Sequence, residues 1–285
     1  MANPFLEYGK KTYVMGIINV TPDSFSGDGL LSQSDTVEAA LEQAQRFIEA
    51  GADILDVGGE STRPGASQVT LQEEMDRILP VIDALGDAGL NVILSVDTYK
   101  AAVAEAALHH GAHWINDVWG LHADPEMGNV AARYRAPLIL MHNRSKPSNA
   151  ELQQRLGGRY IGVTYEDLLQ DIKRELLESV AAARIAGVVD LQIILDPGIG
   201  FGKTVEQNLL LVNRLDEIKS LGFPVLLGPS RKSFIGYTLN LPPEERVEGT
   251  AAVCAIGIAR GADIIRVHDV EVMARVAKMT DAIIR

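Results

Sequence analysis

The sequence predicts an α/β protein in which eight parallel strands close into a single (β/α)8 barrel. Short apolar runs of strand length alternate eight times with segments of helical periodicity across the 285 residues. Parallel strands need crossover helices, and right-handed crossovers repeated along a chain can close the sheet. No linker-like composition interrupts the chain, so we expect one domain over residues 1–285. An open, doubly wound sheet is the structural alternative.

The predicted strands are short and largely apolar, as expected of strands that are covered on both faces of a parallel sheet. Each strand ends beside a turn rich in Gly, Pro, Asn, Asp or Ser. They comprise residues 13–20, 54–59, 92–98, 114–118, 137–142, 193–195, 225–228 and 264–267.

Between the strands, apolar residues recur with helical spacing. In the first of these segments Val37, Leu41, Ala44 and Ile48 share one face, and Gly51 ends the helix. The predicted helices comprise residues 36–50, 71–85, 101–110, 125–134, 165–186, 205–220, 247–260 and 270–284. The polar stretch 143–164 shows no clear periodicity, and we assign it no function.

The composition excludes several classes of function. The net charge is −12 and no dense Lys/Arg tract is present, so nucleic acid and anionic membranes are not expected partners. Hydrophobic residues make up 47% of the chain, ample for a large core. The single cysteine, Cys254, fits a reducing compartment, and its apolar setting indicates a buried thiol. Since no signal peptide or membrane-spanning run is evident, we predict a cytoplasmic protein.

Polar residues at the strand ends are the main functional signal. The C-terminal ends of all the strands in a parallel barrel face one mouth, so these residues should converge. Any one alone could be a cap, a satisfied core histidine or a solvated charge, but unpaired buried polar groups cost about 1–3 kcal/mol each. The set comprises Asn19, residues 61–64, Asp97, Asn116, residues 141–143, Asp196, residues 230–233, Arg266 and His268.

The stretch IILDPGIGFGK at 193–203 shows this signal most clearly. Asp196 ends an apolar run, and Pro197 and Gly198 turn the chain immediately after it. A lone Asp-Pro-Gly is more often a turn than a site, but the arrangement recurs along the chain. GIGFGK is similar to a phosphate-binding glycine loop, yet it lacks the full pattern, so a nucleotide role is not expected.

The ordered segments NVTPDSFS, GGESTRPG, SVDT, IND, DPGIGFGK, GPSRKSF and RVHDV resemble the dihydropteroate synthase family of folate biosynthesis. The match covers almost the whole chain. The resemblance implies a TIM barrel, commonly a homodimer and a sulfonamide target. It also implies an enzyme that joins p-aminobenzoate to 6-hydroxymethyl-7,8-dihydropterin diphosphate with Mg²⁺, releasing diphosphate and forming 7,8-dihydropteroate.

The predicted pterin pocket follows from the chemistry of the ring. A dihydropterin presents an amino group beside a ring N–H, and a buried carboxylate such as Asp196 can accept from both. Asn116 can match another edge atom, and Met141 can pack on the ring. The resemblance adds Asp97 and Lys232 to this pocket. The catalytic residues we predict are Asp97, Asp196, Lys232, Arg266 and His268.

The diphosphate requires cations and donors. Arg266 and His268 lie at the end of the eighth strand, beside the start of the last helix, where barrels often hold phosphate. Asn19 offers an oxygen ligand for Mg²⁺, and Arg63 adds charge from its loop. With the diphosphate stabilised, the carboxylates of Asp97 and Asp196 would favour a pterin cation.

For p-aminobenzoate, the resemblance points to Thr62, Arg63, Pro64, Phe201, Lys232 and Ser233. The carboxylate of this substrate suits the hydroxyl of Ser233 and the positive end of a short helix near 233–235. The Gly- and Pro-containing loops at 21–29 and 60–67 are expected to be mobile alone and to order over the substrates.

Two other functions remain open. The pterin-binding barrel of a corrinoid methyltransferase would share the fold but would not need Arg63, Lys232, Ser233 or the Arg266 end. A non-catalytic pterin-binding module would not need both the anion-binding and the amine-side residues. The helix at 247–260 is apolar or small on nearly every face, so it is either deeply buried or a subunit contact, and we favour a homodimer.

Overall fold

The computed structural model describes residues 4–21, 33–61, 68–161 and 163–285, and in it the predicted parallel barrel is confirmed. Within these residues one sheet contains eight strands, and a separate antiparallel pair forms a hairpin. In chain order the strands are β1 (Tyr13–Asn19), β2 (Ile54–Gly58), β3 (Ile93–Asp97), β4 (Trp114–Asp117), β5 (Leu138–Met141), β6 (Ala150–Gln153), β7 (Gly157–Tyr160), β8 (Ile193–Asp196), β9 (Leu226–Leu227) and β10 (Ile264–Val267).

The large sheet follows the order β8-β5-β4-β3-β2-β1-β10-β9, and its two edges meet. Leu195 of β8 forms a parallel bridge with Val225, and its N–H donates to the carbonyl of Pro224 at 2.9 Å. The described strands therefore form a nearly closed barrel, which excludes the open-sheet alternative. Strand β9 is shorter than the predicted strand at 225–228, because Val225 and Gly228 lie outside its paired register.

The helices alternate with the strands. They are α1 (Gln33–Glu49), α2 (Leu71–Asp87), α3 (Ala101–His109), α4 (Glu126–Tyr134), α5 (Leu168–Ile185), α6 (Val205–Asn213), α7 (Leu215–Lys219), α8 (Ser233–Leu239), α9 (Val247–Ala259) and α10 (Val270–Ile284). Local geometry sets their ends. Asp167 accepts from the N–H groups of Leu169 and Gln170, so α5 begins later than the predicted residue 165. The predicted helix at 205–220 divides at Arg214, whose φ of −116° and ψ of 30° interrupt it.

The stretch 143–164, which shows no periodicity in the sequence, contains the hairpin β6–β7. Its first strand is largely exposed, so the sequence carries no alternation of buried and exposed residues there. Arg155 donates to the Asn240 side chain at 2.8 Å, and the Arg159 guanidinium lies 4.5 Å from the ring centre of Tyr237. These contacts attach the hairpin to α8 and its C-terminal end.

An apolar layer fills the floor of the barrel. Met15, Ile54, Ile93, Trp114, Ile139, Ile194, Leu226 and Ile264 form one buried cluster. Side chains two residues apart on a strand face the same side of the sheet. Residues two or four positions beyond this layer therefore also point into the barrel, nearer the carboxyl ends of the strands.

The single cysteine, Cys254, packs its side chain from helix α9 into the core. Cys254 is fully buried, and burial raises the pKa of its thiol to about 12. The predicted burial of this thiol is confirmed. Among the helices of the described residues, none has the length and apolar character needed to cross a membrane.

Candidate active site

Inward-facing polar residues gather above the apolar floor, where the barrel strands end. Asp56, Asn116, Asp196 and Arg266 each follow a floor residue by two positions on β2, β4, β8 and β10. Asp97 follows Ile93 by four positions on β3. The strand period explains why residues far apart in the sequence meet here. For Asp97, Asn116 and Arg266, the predicted convergence on one mouth is confirmed by direct contacts with Asp56 or with one another.

Arg266 connects three strands across the barrel. Its Nε donates to Asp56 Oδ2 and its Nη2 donates to Asp97 Oδ2, both at 2.6 Å. The side-chain amide of Asn116 donates to the same Asp56 oxygen at 2.9 Å. The network therefore joins β2, β3, β4 and β10. Charge-assisted bonds of this length hold the guanidinium and both carboxylates in one arrangement.

Two carboxylates share this one guanidinium. Burial raises the pKa of Asp97 to about 7, and the nearby Asp56 adds to the rise while Arg266 opposes it. Burial disfavours the charge on Arg266, but the Asp56 and Asp97 carboxylates outweigh it and raise the guanidinium pKa. Arg266 thus stays cationic, and Asp97 can exchange a proton near neutral pH.

Three buried polar atoms beside this network make no hydrogen bond within the described structure. They are Asp56 Oδ1, Ser95 Oγ and Asp97 Oδ1. Asp56 and Ser95 are register partners on β2 and β3, and Asp97 lies two residues beyond Ser95. Buried polar atoms are normally paired. These atoms are therefore suited to receive N–H or O–H groups of a bound molecule.

Asp196 occupies the end of β8 and is 6% exposed. Its Oδ1 accepts from the N–H of Gly198 at 2.7 Å. Burial raises its pKa, although the Gly198 hydrogen bond and the charge of Lys232 act in the opposite direction. The turn requires glycine, because a Cβ at Gly198 would lie 1.8 Å from the carbonyl oxygen of His142.

Lys232 connects the turn after β8 with the start of α8. Its Nζ donates to the carbonyl of Ile199 and lies 4.0 Å from the ring centre of Phe201. Burial lowers the Lys232 pKa to about 7, despite the opposing charges of Asp196 and Asp97. Like Asp97, this amine can gain or lose a proton near neutral pH.

His268 lies directly after β10 and is held by Ser230, which lies in the loop after β9. Its Nδ1 lies 3.0 Å from the hydroxyl oxygen of Ser230, which also accepts from the His268 backbone N–H at 3.1 Å. Arg231 pairs with Asp269, its Nε donating at 2.9 Å. Arg231 is therefore an ion-paired residue on this loop, and its neighbour Lys232 extends toward the turn after β8.

The remaining predicted site residues fall into two groups. Met141 is 3% exposed at the end of β5, whereas Asn19 and Ser233 are half-buried at the end of β1 and the start of α8. Thr62, Arg63 and Pro64 lie outside the described residues, as do most of the two loops expected to close over the substrates.

The His142 side chain does not point into the barrel mouth. His142 follows the inward-facing Met141 by one residue, so its side chain points outward, where it contacts Lys203 and Glu175. The Asn143 amide donates to the carbonyl of Val118 at 2.9 Å. The expectation that 141–143 would all face the mouth is wrong for His142, and the satisfied core histidine is the correct interpretation of this residue.

Sequence analysis did not identify Asp56, the fully buried carboxylate at the centre of the network. It lies inside the apolar run ILDVG, not at its end. The strand period could have identified Asp56, because a residue two positions after Ile54 shares the inner face of that core residue. A charged residue on the inner face of a covered strand needs partners.

The described residues contain no group of three or more His, Cys, Asp or Glu side chains arranged to hold a metal ion. Asn19 is the one predicted ligand, and its half-buried amide offers a single oxygen. Such an arrangement fits Mg²⁺, which usually keeps several waters and is bound through substrate phosphates together with one or two protein groups.

The whole chain is similar to characterised sequences. A family profile described as pterin binding enzyme matches residues 15–268. The dihydropteroate synthase of Bacillus subtilis is 51% identical over 279 residues, covering 98% of this chain and 91% of the relative. The dihydropteroate synthase of Clostridium beijerinckii is 50% identical over 97% of this chain and 96% of its own length.

Solved structures show the same fold. A dihydropteroate synthase of Clostridium difficile, crystallised in the presence of pteroic acid, superposes with a TM-score of 0.89 at 47% identity, covering 98% of this chain and 99% of the other. A dihydropteroate synthase of Xanthomonas albilineans with 4-aminobenzoic acid superposes with a TM-score of 0.85 at 41% identity. The match covers 96% of this chain and 93% of the other. Both structures share the fold over nearly the whole of this chain.

Proposed function

Because this chain belongs to the pterin-binding enzymes, we propose that it catalyses the dihydropteroate synthase reaction of folate biosynthesis. The enzyme is then a transferase that joins p-aminobenzoate to 6-hydroxymethyl-7,8-dihydropterin diphosphate, releasing diphosphate and 7,8-dihydropteroate. The observation that carries the proposal is the buried network in which Arg266 bridges Asp56 and Asp97. The charges of Asp196 and Lys232 act on the same network.

The proposed pterin pocket lies above the apolar floor. Asp196 accepts hydrogen bonds from the amino group and the adjacent ring N–H, and Asn116 meets another polar edge of the ring. Hydrogen bonds to a charged group contribute about 1.5–3 kcal/mol. Met141, which is almost fully buried, packs its apolar thioether side chain against the ring face. Asp56 Oδ1 and Asp97 Oδ1, which have no hydrogen-bond partner among the described residues, support binding of further N–H or O–H groups.

The diphosphate group is proposed to leave between the ends of β1 and β10. Among the described residues, carboxylates accept from Nε and Nη2 of Arg266, and its Nη1 is proposed to donate to the diphosphate. His268, held by Ser230, provides a second donor. Asn19 would be the protein ligand of Mg²⁺, with the remaining ligands supplied by diphosphate and water. Bound Mg²⁺ would neutralise charge on the leaving group.

The proposed substitution is dissociative. The C–O bond breaks first, and its electron pair leaves with the diphosphate. The electron-poor pterin that remains is stabilised by the carboxylates of Asp97 and Asp196. The p-aminobenzoate nitrogen then attacks the exocyclic carbon and loses a proton. Lys232 lies beside this step, and its lowered pKa allows it to take up or release a proton near neutral pH.

p-Aminobenzoate is proposed to bind between the turn after β8 and the start of α8. Phe201 offers an aromatic surface beside Lys232, and Ser233 offers a hydroxyl for the substrate carboxylate. The positive end of α8 favours the same carboxylate. Contributions from Thr62, Arg63 and Pro64 stay predictions.

Measuring diphosphate release tests this function. Release together with 7,8-dihydropteroate formation should require the protein, dihydropterin diphosphate, p-aminobenzoate and Mg²⁺; omitting the amine should leave only weak release. Chelating Mg²⁺ should stop turnover, and adding it back should restore turnover. Transfer of a methyl group would favour the corrinoid-dependent alternative. Pterin binding without turnover would favour the non-catalytic module.

A homodimer is proposed on the apolar surface of the last two helices. Ile256 of α9 is 50% exposed, and Met279 and Ile283 of α10 are 62% and 71% exposed. Apolar surface of this kind favours association between copies of the chain. Sedimentation should show a concentration-dependent dimer, and a monomer at all concentrations would contradict it. The cytoplasmic location and the single-domain organisation stay predictions.

A further inference from the structure

Lys203, the lysine of the segment GIGFGK, has no part in the function proposed above. Lys203 is 2% exposed, and its Nζ lies 2.9 Å from His142 Nδ1, 2.9 Å from the Gly198 carbonyl oxygen and 3.0 Å from the Phe201 carbonyl oxygen. An ammonium group has three donors and no acceptor. The three neighbours match those donors, so this lysine is committed to the interior of the turn.

The turn formed by residues 198–202 is fixed from several directions. The N–H of Gly200 donates to the Asn208 side chain at 2.7 Å, and the hydroxyl of Tyr165 donates to the Gly202 carbonyl at 3.0 Å. The same turn presents the Ile199 carbonyl and the Phe201 ring to Lys232. Its conformation therefore determines what Lys232 meets.

The bond from Lys203 also determines the tautomer of His142. Since Nδ1 accepts from Lys203, Nε2 carries the proton and donates to Glu175 at 3.0 Å. Burial and the charge of Lys203 lower the His142 pKa to about 4, so the ring is neutral at pH 7. Arg144 donates to the same Glu175 carboxylate, its Nε at 3.0 Å.

We propose that Lys203, His142 and Glu175 form a positioning relay, which sets the 198–202 turn and thereby the p-aminobenzoate side of the active site. The relay runs from Glu175 on α5, through His142 behind β5, to the inside of the turn. It rests on the proposed function for the identity of the ligand. None of the three side chains is assigned a contact with substrate, so they act through Phe201 and the Ile199 carbonyl.

Two substitutions of His142 separate the two halves of the relay. His142→Asn retains an oxygen near the position of Nδ1 and can still accept from Lys203. His142→Gln retains an N–H near the position of Nε2 and can still donate to Glu175, but it leaves Lys203 without its side-chain acceptor. We expect the KM for p-aminobenzoate to rise about tenfold in the Gln variant, as for a buried donor left without its acceptor, and much less in the Asn variant.

If the two substitutions raise the KM values of both substrates by the same factor, the proposed relay is overturned. A merely structural role would lower stability without distinguishing the substrates, so thermal unfolding is measured for both variants. The KM for dihydropterin diphosphate should change by only about twofold, because the backbone bond from His142 N–H to the Asp196 carbonyl at 2.9 Å survives both substitutions.

Hydrogen exchange tests the relay without reference to turnover. In Lys203→Met, amides of the 198–202 turn should exchange faster, while those of the barrel strands remain as in the wild type. Lys173→Met is the matched control, since Lys173 pairs with Glu217 at 3.1 Å on the outer helices. Unchanged exchange in the turn would overturn the proposal. If the wild type fails to release diphosphate but the turn responds, the proposed function fails and the positioning relay stands.

Discussion

Arg266 donates to Asp56 at 2.6 Å, although 210 positions separate the two residues in the chain. The contact forms because β10 and β2 both pair with β1, which brings their inward-facing residues together. Removing one member of a buried charged group leaves its partners uncompensated. Asp56 therefore determines the position of Arg266 and, through the same oxygen, that of Asn116.

Asp56→Asn should lower kcat/KM substantially while the protein stays folded, because Arg266 keeps its second partner, Asp97. Loss of one charge-assisted bond corresponds to about 2 kcal/mol, or roughly 30-fold in rate. Steady-state diphosphate release and thermal unfolding would measure the two effects. Asp83→Asn, at an exposed residue of α2, is the matched control. Wild-type kinetics in Asp56→Asn would show that the network has no catalytic part.

Asp196→Asn should weaken pterin binding by about 1.5–3 kcal/mol, roughly 10- to 150-fold. The amide has one acceptor oxygen and one NH₂ group, so it cannot accept from both donors of the ring. Titration calorimetry with a pterin gives the affinity directly. Unaltered affinity would remove Asp196 from the proposed pocket.

Ser233→Ala should raise the KM for p-aminobenzoate about three- to tenfold, as expected for loss of one hydrogen bond. The KM for dihydropterin diphosphate should change less, because Ser233 lies at the start of α8, away from the barrel floor. Thr238→Ala, later in the same helix, controls for effects on helix stability, since its hydroxyl donates to the Phe234 carbonyl at 2.8 Å. A larger effect on the pterin substrate would contradict the assignment.

The pH profile of kcat/KM should be bell-shaped with its maximum near pH 7. The Asp97 pKa is raised to about 7, so this acid loses its negative charge below that pH. The Lys232 pKa is lowered to about 7, so this amine loses its positive charge above it. Lys232→Arg keeps a cation that does not titrate, and the alkaline decline should move to higher pH. If the alkaline decline in kcat/KM occurs at the same pH in Lys232→Arg as in the wild type, a group other than Lys232 causes it.

The strand period made much of the site predictable from the sequence. Asn116, Asp196 and Arg266 close apolar runs and share the inner face of core residues two positions earlier. The resemblance added Lys232, whose long side chain reaches the mouth from a loop. Eight strand–helix alternations were likewise sufficient to predict the parallel barrel.

Other features depend on information that an apolar pattern does not carry. Every residue of β5 is apolar and buried, so the sequence could not show that Met141 faces inward and His142 outward. Asp56 was hidden within an apolar run. The sequence presents Lys203 only as part of a phosphate-loop pattern, because its interior partners are fixed by tertiary contacts. The exposed hairpin β6–β7 lacks the periodicity by which strands are recognised.

A crystal structure of the protein with a bound pterin tests the central claim most directly. The account predicts the ring above the apolar floor, with the Asp196 carboxylate about 2.6–3.2 Å from the amino group and the adjacent ring N–H. Asn116 should contact another edge of the same ring. A pterin bound outside the barrel mouth, or one whose amino edge faces away from Asp196, would contradict it.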